Sequence, residues 1–431
     1  MTSPPPIPPI TTLAELIQRI PKTDLHLHLD GSIRLGTIAE LGQRDGVTLP
    51  SYTADGLDEL VFKTHYRNLE EYLTTFGYST AVMQSPENIE RIAYELAVDN
   101  QRENVRSIEV RFAPQLHINK TMDMRRVLES VDKGLARATS EFNQRPEIKE
   151  GWEPPFKYGI IVCAMRSFNE HFSDYYANFV NVHSYSTIKS IRELASFELA
   201  QGAVRIRDQQ GIPIVGFDLA GAENGFPARE HRRAYQFAHQ HFMAKTVHAG
   251  EAYGAPSIFQ AITDLHADRI GHGYYLFNIE KIENDESIPD KALYIEELCN
   301  YIAAHRITIE VCLTSNMQTN PTIGDLKNHA FQHMIARELS VTLCTDNRTV
   351  SKTSVSKETL LALRNFNITD KQFKNLIIYG FKRSFFHDSY ANKRKWVRQC
   401  IEHYEEVMRN ANFEALVRAD AAEVAARRPA T

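Results

Sequence analysis

Hydrophobic positions along the 431-residue chain recur with two periods, and the switches between them lay out its elements. Period-two or continuous apolar runs, the mark of strands, fall at 22–32, 107–112, 158–163, 214–221, 244–250, 269–273, 307–312 and 341–346. Between them the spacing turns helical: 13–20, 55–104, 122–143, 168–209, 228–242, onward from 255, 291–304 and 357–426. Within the second of these, N-L-E-E-Y-L-T-T-F places Leu69, Tyr72, Leu73 and Phe76 on one face, and Pro86 sits in a helix-entry position. The stretch 145–155, rich in Pro and Glu, reads as a surface loop.

Eight strands, each followed by helical sequence, imply parallel pairing through crossover helices. Eight such units in one run predict a closed (β/α)8, TIM-type barrel rather than an open sheet. The length beyond the usual ~250 residues is assigned to helices inserted after strand one and at the C-terminus. The expected organisation is a Pro-rich flexible lead-in over 1–12, one domain over 13–426 and a short tail over 427–431.

Composition narrows the classes. At 43% hydrophobic and 24% charged, the chain has the make-up of a globular protein. A net charge of -5 gives no electrostatic reason to expect nucleic acid or an anionic membrane. No apolar run approaches the roughly 18 residues of a membrane span. The N-terminus has neither the basic start nor the apolar run of a signal peptide. Cys163, Cys299, Cys312, Cys344 and Cys400 are odd in number, widely spaced and without a C-x-x-C pair. Buried reduced thiols and a cytoplasmic location are therefore expected.

The chemistry starts in K-T-D-L-H-L-H-L-D-G-S, 22–32. Asp24, His26, His28 and Asp30 alternate with Leu25, Leu27 and Leu29, so two imidazoles share a face between two carboxylates. His-x-His can deliver two neutral nitrogens to one point, though an isolated pair fits an ordinary surface strand as readily. A barrel of this type builds its active site at the C-terminal strand ends. Those ends carry His26 and His28, then Arg111, Asp218 and Gly221, His248 with Glu251, His272, and Asp346 with Asn347. His26, His28, His248 and Asp346 make a set that suits one Zn2+ with an open position for water. A second metal is not expected: the end of strand four offers no bridging ligand, and Lys245 lies toward its strand's base. Arg111 and Glu109 read as an interior ion-pair layer, and Asp218 as a support for substrate or metal.

H-L-H-L-D-G-S, E-V-R-F-A-P, D-L-A-G, H-A-G-E, R-I-G-H-G and the T-D pair, taken together, resemble the successive signature segments of the adenosine deaminase family. The resemblance runs from about Pro21 to beyond Asp346 in the family's order. It implies His26, His28, His248 and Asp346 as zinc ligands, Glu251 near purine N1 and His272 near the attacking water. It also implies Gly221 at the purine and Asp30 at the sugar. The partners it implies are a small purine nucleoside and water; no feature of the sequence sets an oligomeric state.

The implied chemistry is hydrolytic deamination of adenosine and 2'-deoxyadenosine to inosine and ammonia. Glu251 protonates N1, while His272 and Asp346 orient the water and take its proton. Asn347 departs from the commoner second aspartate, but an amide can donate to the purine N7 acceptor. A carboxylate at Asp30 accepts from a hydroxyl and repels a phosphate, which favours a free nucleoside. The nearest alternative is a sibling deaminase of adenine or a 5'-modified adenosine. The C-x-x-C class of zinc deaminases is excluded by the cysteine pattern.

Overall fold

The computed structural model describes residues 7–283, 286–320 and 323–427. The eight expected strands form β1 (Lys22–His28), β2 (Val105–Phe112), β3 (Lys157–Met165), β4 (Ile214–Ala220), β5 (Ala244–Ala249), β6 (Arg269–His272), β7 (Thr308–Val311) and β8 (Val341–Leu343). They pair in chain order, every pair parallel. The ring closes where Leu27 bridges Asp346: the His28 N–H donates to the Asp346 carbonyl and the Asp346 N–H to that of His26, both at 2.8 Å. This is the (β/α)8 barrel that the alternation of periods implied.

β2 is buried along its whole length, as a barrel strand covered by helices must be. Its outward apolar residues Ile108 and Val110 join the main core with Leu96, Val127 and Leu135 of the helices Pro86–Arg102 and Met124–Asn143. Inside the barrel the layer below the site is charged rather than apolar. Arg269 pairs with Glu109 and, at 2.6 Å, with Glu310; Arg111 pairs with Asp218 at 3.0 Å and Glu310 at 2.9 Å. All five side chains are buried, so each charge is held by an opposite one at hydrogen-bond distance. The interior ion-pair role read for Arg111 and Glu109 is the one they occupy.

Helix boundaries differ from the periodicity in places, for capping reasons. The region 168–209 is two helices, Asp174–Val182 and Ile188–Gln210, because Ser173 and Thr187 each accept from the N–H three residues on and start a new helix. A short helix, Pro146–Lys149, interrupts the 145–155 loop. Three further helices were not foreseen: Leu35–Asp45, stopped by left-handed Gly46, Leu313–Thr319 immediately after β7, and Phe331–Ala336 before β8.

A second core packs Leu13, Leu16 and Ile17 of the first helix against Phe373, Ile377, Phe381, Trp396 and Tyr404 of the C-terminal helices. Of the expected lead-in, 1–6 lie outside the described residues, while Ile10 is buried in this core and donates its N–H to the Asn410 carbonyl at 3.0 Å. The tail positions 428–431 also lie outside the described residues.

Candidate active site

The barrel closure and the donor cluster are one structure. β1 presents His26 and His28, β5 presents His248, and Asp346 lies just past β8 on the segment whose backbone bonds to β1. The Nε2 atoms of His26 and His28 each stand 3.1 Å from Nε2 of His248, and they lie 3.3 and 3.4 Å from Oδ1 of Asp346. One ligand atom from each of the four residues falls within 4.8 Å of the others.

The outer nitrogens explain why the inner ones are bare. His26 Nδ1 donates to Glu310 at 2.8 Å, and His248 Nδ1 donates to Asp218 at 3.2 Å. Each ring therefore turns an Nε2 lone pair inward, and lone pairs facing at 3.1 Å repel unless a cation lies between them. Three imidazoles plus a carboxylate make a donor set that a divalent ion of the zinc type fits. Burial holds His28 and His272 well below the ordinary histidine value. At His26, burial and Arg111 oppose a charge, yet bonding to Asp346 and Glu310 prevails and raises its value. The same negative surroundings favour a cation.

Backbone conformation at the strand ends is unusual. His272 and Asp346 have φ of 66° and 60°, the left-handed region that costs a non-glycine residue about 1–2 kcal/mol. Position 271 must be glycine, since a Cβ there would stand 2.8 Å from Cε1 of His26. Asp24 accepts from the Thr345 hydroxyl at 2.5 Å and its N–H at 3.2 Å, which pins the residue before Asp346 to β1.

Glu251 opens the loop after β5, with Oε1 3.8 Å from Nε2 of His272. Burial first, and then the charge of Asp346, push its carboxyl up to about 8. The loop is held by Glu223, whose carboxylate accepts from the N–H groups of Gly250, Glu251, Ala252 and Tyr253 and from the Ser257 hydroxyl. Asp30 is buried, and burial pushes it up to about 7; its Oδ1 has no hydrogen-bond partner.

These residues share one cavity of about 750 Å³. His28, Asp30, Gly221, His248, Glu251, His272, Asp346 and Asn347 all line it, while His26 stands behind. The helices Leu69–Thr74 and Phe76–Ala81 roof it with Leu69, Tyr72, Leu73 and Phe76, so the apolar face picked out by spacing is a lid, and Tyr72 belongs to the core as well. Asn347 gives one amide hydrogen to the Tyr72 hydroxyl at 2.8 Å. Among the described residues lining the cavity there is no Lys or Arg.

Sequence spacing missed the supporting residues. Glu310 lies in an alternating strand, I-T-I-E-V-C, with nothing to distinguish it from any inward-facing polar residue. Glu223 and Ser315, whose hydroxyl donates to Asp346 Oδ2 at 2.6 Å, stand in loops or helix starts without a motif. Asp218, by contrast, was one of the strand-end residues and supports the His248 ring.

A closed barrel whose C-terminal strand ends gather three histidines and an aspartate around one cavity defines the metal-dependent hydrolases of the TIM-barrel class. A family model described as adenosine deaminase matches residues 21–402. The chain is 33% identical over 374 residues to an adenosine deaminase of Mycobacterium marinum, covering 86% of this chain and 92% of that protein. It is 31% identical to one of Clostridium perfringens, covering 87% and 97%. A solved adenine deaminase from Arthrobacter aurescens has the same fold, with a TM-score of 0.65 at 22% identity over 89% of this chain and 98% of that one. The chain belongs to the adenosine deaminase family, and is a hydrolase.

Proposed function

We propose that the protein hydrolyses the 6-amino group of adenosine and 2'-deoxyadenosine, giving inosine and ammonia, with one Zn2+ held by His26, His28, His248 and Asp346. The observation that carries this reading is the pairing, in one cavity, of a convergent donor set with a buried carboxyl that keeps its proton at neutral pH. Zinc bound there would lower the pKa of water from 15.7 to about 7, supplying hydroxide at neutral pH.

The chain's own residues supply the rest. Asp346 accepts the water proton, and His272 orients the water toward C6 of the purine. Glu251 delivers a proton to N1 as oxygen bonds to C6, so that the ring does not carry the negative charge. The amine then takes up the proton held by Asp346, the C6–N bond breaks and ammonia leaves, and the C6 hydroxyl returns a proton to Glu251 as it becomes the carbonyl of inosine. Gly221 and Asn347 lie against the purine, and the lid residues Leu69, Tyr72 and Phe76 exclude water from it.

Asp30 selects the substrate. An unpartnered buried oxygen in the cavity suits a donor such as the 5'-hydroxyl of a nucleoside. A nucleotide would bring a phosphate into a cavity lined by Asp30, Glu70, Asp174 and Glu251 and by no Lys or Arg among its described residues. The absence of a helix long and apolar enough to cross a membrane, among the described residues, accords with the cytoplasmic location we propose.

A comparison of adenosine, adenine, AMP and a 5'-blocked adenosine on zinc-loaded protein tests the assignment. Turnover fastest on adenosine and abolished by a chelator is expected. Faster turnover of adenine or of the blocked nucleoside would move the protein to a sibling activity.

A further inference from the structure

His272 is the one ring at the site whose outer nitrogen faces an amide rather than a carboxylate. Its Nδ1 lies 3.2 Å from Nδ2 of Asn316, and the Asn316 Oδ1 lies 3.1 Å from Nε2 of His329. The His329 Nδ1 in turn lies 3.0 Å from the backbone N–H of Phe331. His272, Asn316 and His329 are all buried, at 1%, 0% and 0% exposure, so water cannot rearrange the set.

The direction of this chain follows from its far end. A backbone N–H can only donate, so Nδ1 of His329 is an acceptor and carries no proton. Burial holds His329 down to about 3, so the ring is neutral and its single hydrogen is on Nε2. That hydrogen is donated to Oδ1 of Asn316, which fixes the amide's orientation and leaves Nδ2 to donate to Nδ1 of His272. The remaining nitrogen of His272, Nε2, therefore bears the hydrogen and faces Glu251 at 3.8 Å.

We propose that Asn316 and His329 are positioning residues that lock His272 as its Nε2–H tautomer, so that it enters the reaction as a hydrogen-bond donor toward the water and not as the group that deprotonates it. The inference rests on the reading of His272 given above and refines it: proton removal from water belongs to Asp346 alone. The backbone N–H of Phe331, the first residue of the helix Phe331–Ala336, thus sets the proton position of the His272 ring through His329 and Asn316.

Nitrogen-15 NMR of histidine-labelled, zinc-loaded protein reads the tautomer without reference to turnover. The expected spectrum has an acceptor-type Nδ1 and a protonated Nε2 for His272, assigned by its loss in His272→Ala. A protonated Nδ1 in the native protein would overturn the proposal.

Variants add a kinetic arm. Asn316→Asp offers only acceptors, forces the hydrogen onto Nδ1 and is expected to lower kcat about 10- to 100-fold with KM little changed and zinc content kept. His329→Gln retains both a donor and an acceptor and should stay within a few-fold of native, whereas His329→Phe should fall with Asn316→Asp. Equal kcat in His329→Gln and His329→Phe would show a packing role only and would also overturn it. A correct tautomer in a protein inactive on every purine would instead count against the proposed function alone.

Discussion

Glu251 owes its proton to burial in a cavity it shares with the carboxylate of Asp346. A carboxyl raised to about 8 is protonated below that pH and ionised above it, so the form that can protonate N1 is lost as pH rises through about 8. On that basis kcat/KM should fall on the alkaline side with a midpoint near this value. Glu251→Gln cannot donate a proton and should lose about 10²- to 10⁴-fold in kcat, the usual span for general acid catalysis. Near-native turnover in that variant, or a flat profile through the alkaline range, would remove Glu251 from its role. At this scale the donor set was legible because H-x-H, H-A-G-E and T-D each end a strand. Glu310 and Asn316 were not, because their partners His26 and His272 are 284 and 44 positions away in the chain and no local pattern joins them.

Elements hold these residues through backbone contacts that carry their own predictions. Glu223 gathers four N–H groups and a hydroxyl of the 250–257 loop, and an orphaned buried donor costs about 1–3 kcal/mol. Glu223→Ala should therefore destabilise the protein by a few kcal/mol and lower kcat about 10- to 100-fold by loosening Glu251, with metal content unchanged. A thermal melt and a kcat indistinguishable from native would refute the cradle. At the opposite end of β1, Lys22 is buried with its ammonium on the carbonyls of Ile17 and Ile20, and burial lowers it from 10.5 to about 7.

Between those two values the unfolded chain binds a proton that the folded chain does not, so this lysine makes stability rise with pH. Lys22→Met should gain relative to native by a few kcal/mol more at about pH 6 than at about pH 10 in urea titrations. No change in that difference with pH would mean the lysine is not desolvated. Strand positions were readable from period two. Helix ends were less so, because a single capping side chain such as Thr187 splits what periodicity joins.

Across the whole molecule, closure of the barrel and assembly of the site are the same event. The two backbone hydrogen bonds that join the end of β1 to the segment after β8 run between His26, His28 and Asp346, three of the four donors. The barrel itself could be read from eight alternations of period. The lid could be read only as an apolar face, because what covers it, a cavity or another helix, depends on contacts far along the chain. The central claim is that this closure builds one zinc site that drives deamination of adenosine. Titrating chelator-stripped protein with Zn2+ while following conversion of adenosine to inosine by its ultraviolet absorbance tests it directly. Activity is expected to be absent from the stripped protein and to rise in proportion to zinc until one ion is bound per chain. Full activity without metal, or one zinc bound per chain with no turnover of adenosine, would contradict it.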